Sequence, residues 1–151
     1  MTVRVSIQGA STADALVRRL ERVPAEAERA IRAVVRATAL KVEASAKEAI
    51  QRGPKSGRLY RTTNKRKMHR ASAPGEAPAT DTGALVSRIH SRVFGGGLEA
   101  AVTSAVDYSA FLEFGTDRMA PRPYLAPALQ EHAAAFEHDL GLAVAGVLDL
   151  P

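Results

Sequence analysis

The 151-residue chain contains no cysteine and no tryptophan. Without cysteine there is no disulfide framework, zinc ribbon, iron–sulfur cluster or thiol nucleophile. Aromatic residues make up only 5% of the chain, and no run of about eighteen apolar residues occurs, so no membrane span is expected. Met1 to Ile7 alternates polar and apolar residues, unlike the continuous apolar stretch of an export signal. What is present is a folding composition: 46% hydrophobic residues, with 21 Lys and Arg against 16 Asp and Glu. Such a chain is too apolar and too weakly charged to stay unfolded, and its length suits a single domain over 1–151.

Val3, Val5 and Ile7 alternate with Arg4 and Ser6, the period-two pattern of a half-buried strand. After Gly9, Ser11 and Asp14 resemble a capping box opening a short helix with Leu16, Leu20 and Val23 on one face. Pro24 suits the first turn of a second helix, and Ala27, Ile31, Val34, Val35, Thr38, Val42, Ala46, Ala49 and Ile50 keep a helical period until Gly53-Pro54. Apolar residues alternate from Ala84 through Ile89 and Val93, Gly95-Gly96-Gly97 turns the chain, and Leu98, Ala100 and Val102 alternate again, which predicts a β-hairpin. Tyr108 to Gly115 reads as one or two helical turns closed by Gly115 in a left-handed cap. Pro121, Pro123 and Pro127 predict an extended connector before a last helix marked by Leu129, Ala133, Phe136, Leu140, Val144 and Val147. The expected fold is α+β: a long amphipathic N-terminal helix and a C-terminal helix packed on a small, mainly antiparallel sheet.

Between Glu48 and Glu76 no acidic residue occurs, and Arg52, Lys55, Arg58, Arg61, Lys65, Arg66, Lys67 and Arg70 fall within this interval. The rest of the chain holds 13 cations against 16 anions, so all the net basicity lies in this segment. Flanked by Gly53, Pro54, Gly57, Pro74, Gly75 and Pro78 and lacking an apolar period, it predicts a long exposed loop or arm at about 52–80. Such an arm suits an acidic protein surface, the phosphates of a nucleic acid with Tyr60 stacking on a base, or simple solvation.

No catalytic, cofactor or metal site emerges. Gly95-Gly96-Gly97 opens no helix and reads as a turn, not a phosphate cradle. His69, His90, His132 and His138 lack the i, i+4 spacing of a helical metal pair. No serine sits in a nucleophile elbow, and Glu113 and Asp117 have no neighbouring histidine. Tyr108, Phe111, Leu112, Phe114, Met119 and Tyr124 gather much of the aromatic supply beside a proline-stiffened segment, a pattern that serves either a core or an oligomer contact.

Two blocks carry a resemblance. Tyr108-Ser109-Ala110-Phe111-Leu112-Glu113-Phe114-Gly115-Thr116, followed by Met119-Ala120-Pro121-Arg122-Pro123-Tyr124-Leu125-Ala126-Pro127-Ala128-Leu129, resembles a signature of the Hong Kong 97-type gene-product-ten family of long-tailed bacteriophages. The block Ala73-Pro74-Gly75-Glu76-Ala77-Pro78-Ala79-Thr80-Asp81-Thr82-Gly83-Ala84-Leu85 is similar to an element of the same family. The resemblance implies a structural, non-enzymatic protein of the virion neck that completes the tail and joins it to the capsid connector. It implies a homo-oligomeric ring, a hexamer in the virion and a monomer when isolated. Partners would be neighbouring neck and tail proteins, with a passing contact to phage DNA, and assembly would take place in the host cytoplasm. A tail-terminator or head-closure role in the same neck, and a nucleic-acid-binding module built on the arm, are the alternatives.

The expected interface residues are Tyr108, Phe111, Leu112, Glu113, Phe114, Gly115, Thr116, Arg122, Pro123 and Tyr124. A second motif comprises Pro74, Gly75, Glu76, Pro78, Thr82, Gly83 and Leu85, and the arm contributes Arg58, Arg61, Lys65, Arg66, Lys67 and Arg70. Opposite charge makes Glu113 and Arg122 an expected pair, within or between subunits, and Gly115 is expected to reverse the chain at positive φ.

Overall fold

The computed structural model describes residues 3–6, 25–61 and 68–148. The short helix expected around Leu16, Leu20 and Val23, and the side chains of Lys65, Arg66 and Lys67, lie outside the described residues. Strand β1 (Val3–Ser6) is followed by the long helix α1 (Ala25–Arg52). The short strands β2 (Leu59–Arg61) and β3 (Met68–Arg70) come next, then a one-turn helix α2 (Ala84–Ser87). Strands β4 (Ile89–Phe94) and β5 (Glu99–Ser104) flank a glycine turn at Gly95–Gly97, before helices α3 (Ser109–Phe114) and α4 (Leu125–Leu148). The α+β class expected from the sequence is the class observed.

The antiparallel sheet has the order β1-β5-β4, which puts β5, four of whose six residues are buried, in the middle. The predicted hairpin is β4–β5, paired from Ile89↔Ser104 to Phe94↔Glu99. Helix α1 lies against β4 and β5 on one side and α4 on the other, so α4 packs chiefly on α1. Its alanines allow this close approach: Ala27, Ala39 and Ala46 are fully buried between larger neighbours. One core cluster joins Val42, Ala46 and Ile50 of α1 to Leu85, Ile89, Val102, Tyr124, Leu125 and Ala128. A second joins Ile31, Val35 and Ala39 to Ala100, with Leu98, Phe136 and Leu140 around it. Each fully buried Ile or Val contributes about 1.5–3 kcal/mol by leaving water.

Four sequence expectations are corrected here. The basic arm is not an irregular loop, because β2 and β3 pair antiparallel with Leu59↔Arg70, Tyr60↔His69 and Arg61↔Met68. Nor does the exposed stretch run on to 80: Ser72 and Pro78 are buried against the body. Residues 84–87 form a helical turn, not a strand, because Gly83 takes φ +78° and the hydroxyls of Thr80 and Thr82 accept the amides of Gly83 and Ala84. Finally, α4 begins at Leu125, two residues before Pro127, which sits in the first turn where its missing N–H costs nothing.

Candidate functional site

The two sequence blocks meet on one side of the body. Gly75 donates its amide to the Pro121 carbonyl at 3.0 Å. Arg122 donates its own amide to Leu112 O at 2.7 Å and its Nε to Ser72 O at 3.4 Å. Arg122 thereby ties the end of α3 to the strand leaving the β2–β3 hairpin. Leu85 from one block and Tyr124 from the other pack in the same core cluster, and Pro123 is half-buried beside them.

Glu113 organises the second block. It is 4% exposed, and its carboxylate accepts the amides of Tyr124 at 3.0 Å, Leu125 at 3.1 Å and Ala126 at 2.8 Å. The next residue, Pro127, has no amide, so every N–H that the first turn of α4 leaves without a helical acceptor is accounted for. A carboxylate at a helix N-terminus also meets the positive end of the helix dipole. The Glu113–Arg122 pairing expected from charge is not what forms, because both Glu113 oxygens are taken by backbone and Arg122 turns to Ser72 O.

Gly115 closes α3 with φ +76° and ψ −174°, a conformation open essentially to glycine alone. The positive φ is as expected, but ψ places it outside the left-handed helical region. A Cβ there would lie 2.7 Å from Met119 O, because Thr116 and Met119 exchange backbone hydrogen bonds across the turn. The Thr116 hydroxyl accepts the Arg118 amide at 3.3 Å.

Glu76 does for the first block what Glu113 does for the second. It accepts the Ser56 hydroxyl, the Ser56 amide at 2.9 Å and the Ala73 amide at 2.8 Å, joining the two chain segments at the base of the hairpin. The Ser56 hydroxyl above all, then the Ala73 and Ser56 amides, holds its carboxyl at about 2. Beside it, Lys55 Nζ donates to Ala49 O and Ala77 O, both at 3.1 Å, and partial burial lowers its pKa more than nearby Glu76 restores it. Gly57 lies against the facing strand so closely that a Cβ would fall 2.6 Å from Ser72 O. Lys55 and Ser56 were not legible as partners of Glu76, since about twenty residues separate them and no local spacing marks the contact.

With these residues committed to holding the backbone, the remainder stand out. Tyr108, Phe111 and Phe114 are 45%, 51% and 69% exposed, and Phe111 therefore lies outside the core. On α3 the buried Ser109, Ala110 and Glu113 face inward, Tyr108 and Leu112 face a groove, and Phe111 and Phe114 face solvent. The groove, about 400 Å³, lies between this helix and the hairpin and is lined by Tyr60, His69, Leu85, Tyr108, Leu112 and Arg122 among others. Thr82 is exposed at its rim, Pro74 and Gly75 are exposed, and Gly83 is half-buried. Arg58, Arg61 and Arg70 are exposed on the hairpin.

Among the described residues no group of three or more His, Asp or Glu is placed to hold a metal, and no helix is long and apolar enough to cross a membrane. Neither the curated proteins nor the solved structures contain a match to the chain. One family model does match, over residues 14–115: HK97-gp10_like, described as "Bacteriophage HK97-gp10, putative tail-component". The match takes in the first block and the second as far as Gly115, about two thirds of the sequence, and leaves α4 outside. The chain belongs to the HK97-gp10-like family of bacteriophage tail components.

Proposed function

We propose that the protein is a structural component of the phage neck that completes the tail and joins it to the capsid connector, acting as a closed homo-oligomeric ring, hexameric in the virion. The observation that carries this reading is the solvent-facing side of α3. Phe111 and Phe114 form an aromatic patch on a helix held from its inner side by Glu113 and closed by Gly115. Exposed aromatic clusters on a rigid support are the usual centres of protein interfaces, because large rings bury much area at little entropic cost. The patch and the neighbouring groove lie on different sides of α3, which suits head-to-tail contacts between copies, and such contacts form a ring when the rotation between neighbours closes. The neighbouring neck and tail proteins would meet the ring's two ends, and assembly would take place in the host cytoplasm before the particle is complete. A terminator or head-closure position in the same neck uses the same surface.

The test is the double substitution Phe111→Ser with Phe114→Ser. Circular dichroism and the melting temperature should stay as they are, while head-to-tail joining in an extract-complementation assay, and any self-association of the isolated chain by sedimentation velocity, should be lost. A folded double variant that still associates and joins heads to tails overturns the reading.

A further inference from the structure

The β2–β3 hairpin has two unlike faces. Tyr60 and His69, a cross-strand pair with ring centroids 5.3 Å apart, turn toward the groove. Leu59, Arg61, Met68 and Arg70 share the opposite face by register, and all four are exposed. This outer face alternates apolar and cationic side chains. Two of the segment's other cations are already engaged, Lys55 with two carbonyls and Arg52 with Glu48, while Arg70 donates one guanidinium N–H to Gly57 O at 3.3 Å and stays exposed. A phosphate backbone has nothing to offer Leu59 and Met68, whereas a protein surface that is apolar and acidic matches all four residues.

The chain itself carries such a surface. Helix α4 has no Lys or Arg in its 24 residues. Its outer face presents Glu131, Ala134, His138, Leu142 and Ala145, spaced three and four apart and all exposed, with exposed Glu137 at its edge. Leu142 is 58% exposed and is the one large apolar side chain on this face. Cations and apolar groups on one element, anions and apolar groups on another, form a complementary pair that two copies can join head-to-tail.

We infer that the outer face of the β2–β3 hairpin of one copy docks on the outer face of α4 of the next, with Arg61 and Arg70 meeting Glu131 and Glu137, and Leu59 and Met68 meeting Leu142. This rests on the proposed ring and assigns it a second contact, separate from the α3 patch.

The absence of cysteine makes the test clean. Met68→Cys and Leu142→Cys chains, each checked for an unchanged melt, are mixed in equal amounts and treated with a short bismaleimide at low salt. The mixed 68–142 product should dominate, and its yield should fall several-fold as ionic strength approaches about 1 M, where the screening length is about 3 Å. Arg61→Glu with Arg70→Glu on the Met68→Cys chain should cut the yield about tenfold, and Glu131→Arg with Glu137→Arg on the partner should restore it. Predominant 68–68 or 142–142 products, no effect of charge reversal, or no restoration overturns the contact. So does displacement of the mixed product by duplex DNA at low salt, which assigns the face to nucleic acid. If the wild-type chain self-associates by sedimentation while the mixed product is absent, only this contact falls. If the isolated chain is a monomer, the same cross-linking on assembled particles decides, and absence of the 68–142 product there overturns the contact.

Discussion

The carboxylate of Glu113 accepts three amides inside the core at the start of α4, whereas that of Glu76 accepts two amides and a hydroxyl on the solvent side, where the hairpin leaves the body. Both residues fall in short sequence blocks that resemble a family pattern, and both use a charge to bind backbone across a long sequence gap. Their surroundings separate their roles. Around Glu113 water cannot replace a lost acceptor, so the residue holds the helix that covers α1. Around Glu76 water can, so the residue holds a boundary, fixing how the hairpin stands on the body without carrying the fold. Burial, more than hydrogen-bond number, decides which of two similar clamps is structural for the whole molecule.

The comparison is broken most directly by Glu113→Ala. It leaves the amides of Tyr124, Leu125 and Ala126 without an acceptor, two of those residues being fully buried. The expected loss is at least about 3 kcal/mol, summing buried unsatisfied donors and a lost cap, read as a lower midpoint in urea unfolding. Glu113→Gln, with one carbonyl oxygen in place of two, should lose less. A Glu113→Ala chain as stable as the wild type would put the two clamps on equal terms and remove the argument from burial. Gly115→Ala comes next. Its backbone alone costs about 1–3 kcal/mol at this conformation, and the contact with Met119 O adds to it. Because the loss falls on the turn that orients Phe114, the residual folded protein should also associate less well.

For Glu76 the expected effect is local and depends on pH. Its folded value of about 2 lies below the ordinary 4.5, so its contribution is complete above about pH 4.5 and disappears as pH falls through about 2. Amide exchange at Ser56 and Ala73 should accelerate across that window while amides of α1 stay protected. Glu76→Gln should show the faster exchange at neutral pH and no further change on acidification. If α1 opens together with the hairpin base, the boundary is part of the core and the contrast with Glu113 fails.

How much of this could be read in the sequence follows from what a sequence records. Helix α1 and the β4–β5 hairpin were legible because each has one buried face, which imposes a period of 3.6 or 2 on the apolar residues. Strands β2 and β3 were not, since three-residue strands in which only His69 is half-buried impose no apolar alternation. The charge of Glu113 suggested Arg122 as a partner, but its actual partners are backbone amides, which no residue letter distinguishes. Phe111 and Phe114 looked as suited to a core as to an interface until α3 was seen to turn its serine, alanine and glutamate inward. That inversion, small and charged residues buried with phenyl rings outside, is what marks the candidate surface. It is visible only once Glu113 has been placed against α4.

The smallest expected effect sharpens the same point from the other side. Tyr124 is 1% exposed, and its hydroxyl lies near those of Ser104 and Ser109, yet none of the three meets hydrogen-bond geometry. Burial pushes the phenol pKa up, as it does for any acid whose anion is kept from water. Here polar atoms are buried without the satisfaction that Glu113 supplies to the amides next door. Tyr124→Phe keeps the ring in the core and deletes a hydroxyl with no hydrogen bond to lose, so stability should change by less than about 1 kcal/mol and is as apt to rise as to fall. Tyr124→Ala, by contrast, should cost about 3–5 kcal/mol by leaving an aromatic-sized cavity. Thermal melts of the two side by side separate ring from hydroxyl. A large loss in Tyr124→Phe would mean that the three hydroxyls form a working network, and that burial beside α4 tolerates no unpaired polar atom at all.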